Sequence, residues 1–227
     1  RLVRNTLLLS FELLLFGFPA PIILALLINE VHHEGFKKSV QTLTYLPHFI
    51  SLIVVVGMIT DFSMTSGLFN DIIVFFGGER SPLLQNPALY RTIYVLSDIW
   101  QQVGWGPIIY LSALSGVDAQ LYDAASIDGA GRTRQFFQIT IPLIWTNIRT
   151  TLTFFIISTI NMAFLFVKAM TSGGPNGASE VALSYMYGQK DAGLYGYSMA
   201  IGVVIFLFSF LLSALVNRAT KRTPLEF

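Results

Sequence analysis

The chain has 227 residues, 53% of them hydrophobic and only 12% charged, with a formal net charge of +1 and a mean hydropathy of +0.62. That is roughly half the charged share of an ordinary soluble domain, and the apolar residues fall in long runs, so a soluble globular fold is excluded in favour of a polytopic membrane protein. The chain has no cysteine, hence no disulfide framework and no thiolate metal site; its three histidines make no metal constellation, and its near-neutral balance does not point to nucleic acid.

The chain begins at Arg1 rather than Met, with no signal-peptide pattern, and the expectation is a fragment without its natural start. A first apolar helix is predicted over about Thr6 to Ile28, carrying Glu12 and kinked by Pro19 and Pro21. Residues 29–40 read as a polar connection holding His32, His33, Lys37 and Lys38. A second helix is predicted from about Leu43 to Phe62, with Pro47 near its start. Residues 63–90 read as a mixed loop in which Asp71 to Phe76 forms a short interfacial helix and Gly77-Gly78 a turn. A third helix is predicted over about Arg91 to Leu114, with Asp98, Trp100, Gln101, Gln102 and Trp105 in its outer half.

Residues 118–142, DAQLYDAASIDGAGRTRQFFQITIP, interrupt the apolar pattern and are not built like an ordinary loop. Asp118 can cap a helix over Ala119 to about Asp128, and Gly129 can end it. Leu121, Ala124 and Ala125 then share one face, where small side chains let a partner surface approach the backbone. Thr133 is predicted to cap a second helix carrying Phe136, Phe137 and Ile139, and Pro142 marks the return to the membrane. Such a helix is a lever that a soluble partner can hold in a groove. An amphipathic helix that only rests on headgroups needs neither cap. A fourth span is predicted over about Ile148 to Val167, then a mixed loop over 171–195, a fifth span over about Tyr197 to Val216, and a basic tail.

Orientation follows from Lys and Arg near the span ends. With the central loop in the cytoplasm, Lys37, Lys38, Arg132, Arg134, Arg149, Arg218, Lys221 and Arg222 lie inside, and Arg1, Arg4, Arg80, Arg91, Lys168 and Lys190 outside. The bias is small, and the tail is its clearest part.

Asp123-Ala124-Ala125, three residues, Gly129, nine residues, Ile139, one residue and Ile141-Pro142 resemble the EAA loop of ABC-importer permeases. Asp123 stands where Glu is commoner, and Ile141 where Leu is commoner. Leu121-Tyr122 and Ser126 to Ala130 are similar to the carbohydrate-uptake, maltose-type branch, and within it to LplB-like oligosaccharide permeases. Arg4-Asn5-Thr6-Leu7 resembles the start of the family's second span. Gly173-Gly174-Pro175, Tyr185-Met186-Tyr187 and Gly196 to Ala200 resemble its last outer loop. The resemblance covers nearly the whole chain. It implies an all-α polytopic bundle forming a single permease domain over 1–227, with five spans here and six in the full protein, in the bacterial cytoplasmic (inner) membrane. Asp123, Ala124, Ala125, Gly129, Ile139 and Pro142 would then couple the bundle to a dimer of cytoplasmic ATPase subunits. A second permease, paired as a heterodimer, and an extracytoplasmic solute-binding protein would complete the assembly. The chain carries no G-x-x-x-x-G-K-[ST], so ATP would be held by the partner; no cofactor, metal or catalytic residue of its own is expected.

Polar groups at membrane depth are the candidates for a solute path. Asn161, flanked by Ser158 and Thr159, offers a donor and an acceptor for sugar hydroxyls, or else an interhelical hydrogen bond. Glu12 is a candidate that can also reach the outer interface. Trp100, Gln101, Gln102 and Trp105 form either a sugar-stacking surface or interface anchors. The reading is a sugar permease rather than an enzyme. The alternatives are a permease for a peptide or amino acid, a secondary transporter, and a membrane-embedded enzyme. The last would want a nucleophile–base pair or clustered metal ligands, and the secondary transporter internal repeats; neither is evident.

Overall fold

The computed structural model describes residues 2–171 and 180–220, the side chains of 160–169 and 171 excepted. All regular structure among the described residues is helical. The chain enters with α1 (Leu2–Glu12), a π-helical turn at Leu13–Gly17 and α2 (Pro19–Asn29), forming one long rod. Pro19 opens α2, where its missing N–H costs nothing, and the wide turn before it absorbs the kink.

Residues expected as a polar connection form α3 (Glu34–Tyr45), an exposed helix with no buried residue. His33 caps it, its Nδ1 accepting from the Phe36 N–H at 3.1 Å. The predicted helix over 43–62 is therefore divided. Pro47 stands at the start of a short 3-10 turn at Leu46–Phe49, and α4 (Leu52–Ser63) begins only after Ile50 and Ser51 turn extended. The interfacial helix expected over 71–76 is longer, α5 (Leu68–Phe75), and Gly77 leaves it with φ of 86°. Buried Asn70 holds the following loop, donating to the carbonyls of Met64 and Ser81 at 2.8 Å and accepting from the Ser81 N–H at 2.9 Å.

The third predicted helix is also broken. α6 (Pro87–Gln102) and α7 (Pro107–Ser115) meet at a turn over residues 103–106. The turn is wedged against other backbone. A Cβ on Gly104 would lie 1.8 Å from the Thr44 carbonyl oxygen, and no side chain fits there. After α8 (Ala119–Ile127), the chain re-enters through α9 (Arg132–Gln135), a π-helical turn at Phe136–Thr140, and α10 (Ile141–Thr171). Gly131, not Thr133, precedes α9, so Thr133 is inside the helix and caps nothing. α11 (Ala182–Asp191) and α12 (Tyr195–Thr220) complete the described chain.

Among the described residues four stretches are long and apolar enough to cross a membrane by length and composition: Leu2–Asn29, Leu52–Phe75, Arg132–Thr159 and Tyr195–Thr220. The third predicted span, over 91–114, is divided by the Gly104 turn into pieces each too short alone. Only 11% of the apolar window of α12 is buried, and Phe206, Phe210 and Leu215 face outward, as a lipid-facing helix requires.

The core lies in separate knots. Leu9, Leu13, Val55, Ile59, Tyr90 and Tyr94 join α1, α4 and α6; Ala25, Tyr110, Leu114, Ile144 and Ile148 join α2, α7 and α10; Ile156 and Ile205 join α10 to α12. At one end of the bundle Asn5 donates to the Glu180 carbonyl at 3.2 Å, and Thr6 Oγ1 accepts from the Ala182 N–H at 2.9 Å. At the other end Trp145 Nε1 donates to the Thr220 carbonyl at 3.2 Å. The basic tail residues Lys221 and Arg222, the turn at Gly173-Gly174-Pro175, and the side chains of Asn161 and Lys168 lie outside the described residues.

Candidate functional site

α8 is fixed by local chemistry at both ends. Asp118 stands extended, and its carboxylate accepts from the Gln120 N–H at 2.9 Å. At the far end Gly129 takes a φ of 76°, the left-handed conformation that glycine adopts without a Cβ penalty. The Ala130 N–H then donates to the Ala125 carbonyl at 2.8 Å and the Gly129 N–H to the Ser126 carbonyl at 3.1 Å. That pair of bonds is a Schellman cap.

Three hydrogen bonds fasten α8 and its cap to the segment that leads into α10. Tyr122 and Thr140 share a hydroxyl–hydroxyl hydrogen bond of 3.0 Å. Gln135 Nε2 donates to Ser126 Oγ and to the Ala130 carbonyl, both at 2.9 Å. No residue of α8 is buried; Asp123 and Ala124 are exposed and Ala125 is half-buried. Ile127 is 87% exposed, a large apolar side chain held out by a rigid clamp, and Leu121 and Phe137 are also exposed. Ile139 and Pro142 are half-buried in the root of α10 and present no free surface of comparable size. A groove of about 700 Å³ beside the clamp is lined by Asn29, Glu30, Tyr122 and Arg132, so the end of α2 and the 118–142 loop share one end of the bundle.

The path candidates do not stay together. Gln101 is buried and donates through Nε2 to the Ile50 carbonyl at 3.2 Å, a group freed by the break before α4. Gln102 Oε1 lies 3.0 Å from His48 Nδ1, and the His48 ring stacks on Trp105 at 4.6 Å and 7°. Gln101, Gln102, Trp105 and Asp98 line an internal cleft of about 260 Å³ with Ser158 and Thr159 of α10. Trp100 turns away into an apolar groove of about 620 Å³ between α4, α5 and α6, among Met58, Phe62 and Phe69. Glu12 lines a third hollow, with Arg91. Sequence reasoning passed over His48; the signal available was a polar ring beside Pro47, next to a predicted span.

A multi-helix membrane bundle that encloses a cleft carrying a few polar groups and holds a capped helix exposed at one end has the form of a membrane transport subunit. The chain belongs to the family described as binding-protein-dependent transport system inner membrane component, which matches residues 17–223. It is 42% identical, over 97% of its length and 70% of the relative's, to the polygalacturonan/rhamnogalacturonan transport system permease protein YteP of Bacillus subtilis (strain 168). It is 38% identical to Protein LplB of the same organism, over 100% of this chain and 72% of that one. Among solved structures it superposes with a TM-score of 0.90 on a bacterial ABC transporter involved in the import of the acidic polysaccharide alginate, at 34% identity, covering 99% of this chain and 79% of that one. A bacterial alginate ABC transporter in complex with an alginate pentasaccharide-bound periplasmic protein matches with a TM-score of 0.83 and 34% identity, over 97% and 76% of the two chains. The chain is thus an inner-membrane permease subunit of an ABC importer that works with a solute-binding protein, and not an enzyme.

Proposed function

We propose that this permease moves an oligosaccharide or modified sugar by alternating access, and that residues 118–142 are the part of its single domain that receives the driving force. The carrying observation is the clamp: α8 is capped at Asp118 and Gly129, tied through Tyr122 and Gln135 to the root of α10, and still exposed at Asp123, Ala124 and Ile127. A helix so held transmits a push as a rigid body instead of fraying. Its occupant is a cytoplasmic ATPase subunit, working as an ATP-bound dimer, with a second, related permease completing the membrane part. ATP in that partner need only bias two arrangements of the bundle.

The solute passes at the cleft of Asp98, Gln101, Gln102 and Trp105, faced by Ser158 and Thr159. Amide, hydroxyl and carboxylate groups offer both donors and acceptors, and an aromatic face lies beside them, the chemistry that hydroxylated rings need. Its volume of about 260 Å³ lies just under the roughly 300–1,000 Å³ of ordinary ligand sites, which suits one ring at a time. The named relatives that carry polygalacturonan, rhamnogalacturonan or alginate favour a uronate-containing chain as cargo. Reconstituted with ATPase subunits, a second permease and a loaded binding protein, the assembly hydrolyses ATP in response to such an oligosaccharide and accumulates it in vesicles. Stimulation by a peptide-loaded binding protein and not by any sugar-loaded one overturns the proposal.

A further inference from the structure

We propose that the hollow lined by Glu12 and Arg91 is a site for a membrane lipid with a zwitterionic ammonium–phosphate headgroup. One face of α6 forms its wall: Ala88, Arg91, Thr92, Val95 and Ile99 recur at helical spacing, opposite Glu12 and Phe16 of the first rod. Its volume is about 510 Å³.

The wall is polarised along the membrane normal. α6 starts from the loop that Asn70 of α5 holds through Ser81, so Arg91 and Thr92 stand nearer that surface and Val95 and Ile99 deeper. The rod runs the same way beside α6, with Leu9 and Leu13 packed on Tyr90 and Tyr94 and Gly17 beside Ile99, so Glu12 stands nearer the same surface and Phe16 deeper. Glu12 is about 25 Å along the rod from Asn29, against a hydrocarbon layer of about 30 Å, which puts its carboxylate at the outer boundary. Charge lies above and apolar surface below, the order found in a lipid molecule.

The charges also need an occupant. Among the described residues Glu12 and Arg91 form no ion pair with each other or with a neighbour. Both are half-buried, and acyl chains alone solvate neither. A headgroup matches both signs at once: its ammonium donates to the Glu12 carboxylate, and the Arg91 guanidinium donates to its phosphate oxygens. An anionic headgroup satisfies only Arg91. Leu96 lines both this hollow and the apolar groove of Phe62, Phe69 and Trp100, so acyl chains have a continuous bed.

The site depends on the membrane orientation of the bundle and not on which solute it carries. The assembled importer in mild detergent is titrated with phosphatidylethanolamine or phosphatidylglycerol of matched chains, and retention is read by native mass spectrometry. The wild type retains the ethanolamine lipid in preference. Arg91→Gln lowers retention of both lipids by about tenfold, the usual scale for a charge-assisted bond, while Glu12→Gln removes the preference and leaves retention of phosphate lipid. A photoactivatable phosphatidylethanolamine, requiring no variant, crosslinks to the peptide spanning 88–99. Equal wild-type retention of the two lipids overturns the site, as does crosslinking of that face to another protein chain in place of lipid. ATP hydrolysis stimulated by loaded binding protein is measured on the same sample, so an active importer without lipid preference refutes this site alone.

Discussion

Replacing Gly129 isolates the rigidity of α8, because a Cβ there would meet nothing within 4 Å and the change acts through the backbone alone. Its φ of 76° costs a residue with a Cβ about 1–2 kcal/mol, so Gly129→Ala shifts the capped population by roughly five- to thirtyfold. Gly129→Pro goes further. Proline fixes φ near the opposite sign and removes the N–H that bonds the Ser126 carbonyl at 3.1 Å. It also drives Asp128, now at φ of −74° and ψ of 4°, out of the helical region. The Schellman cap is then lost, at about 0.5–1.5 kcal/mol for each hydrogen bond on top of the backbone term. A helix of nine residues has little stability of its own, so its last turn, which holds Ile127, unwinds. In proteoliposomes Gly129→Pro inserts and assembles but loses uptake and the ATP hydrolysis stimulated by loaded binding protein; Gly129→Ala keeps part of both. Full stimulation and uptake by Gly129→Pro would refute the lever.

Ile127→Asp places a charge on the most exposed apolar side chain of α8 and weakens ATPase association at least tenfold in pull-down titration, while the thermal midpoint of the permease stays unchanged. Tyr122→Phe breaks the 3.0 Å bond to Thr140 and lowers solute moved per ATP hydrolysed without releasing the ATPase subunit. Gly104→Ala drives a methyl group into the Thr44 carbonyl; overpacking of about 1–3 kcal/mol or more lowers the thermal midpoint in detergent by about 2–10 °C. Gln102→Ala removes the contact to His48 and one cleft amide, and raises KM for the solute about three- to tenfold with an unchanged thermal midpoint.

The caps of α8 were legible because a carboxylate before a helix and a glycine after it act within a few residues. Thr133 misled for the same reason: it resembles a cap, but the helix already starts behind Gly131 without any side-chain cap. The break before α4 depends on more than Pro47. It leaves the Ile50 carbonyl free, and the donor that satisfies it is Gln101, a contact between distant parts of the chain that no local pattern contains. The break in the third predicted helix left a readable trace in Gly104, Gly106 and Pro107, outweighed by the surrounding apolar run. Polarity at membrane depth found Gln101 and Gln102, yet could not separate Trp100 from them. Neighbours on one helix point in different directions, and only the packing of α4, α5 and α10 shows which direction faces the cleft.

The chain has no cysteine, so one introduced at Ala124 is a clean reporter of the driving surface. A membrane-impermeant maleimide applied to inside-out and right-side-out vesicles reads its side, and the same labelling with and without the ATPase subunit reads its occupancy. Labelling from the cytoplasmic side only, blocked when the ATPase subunit is bound, is the result this account predicts. Labelling from the outer side, or labelling that the subunit does not change, would contradict it.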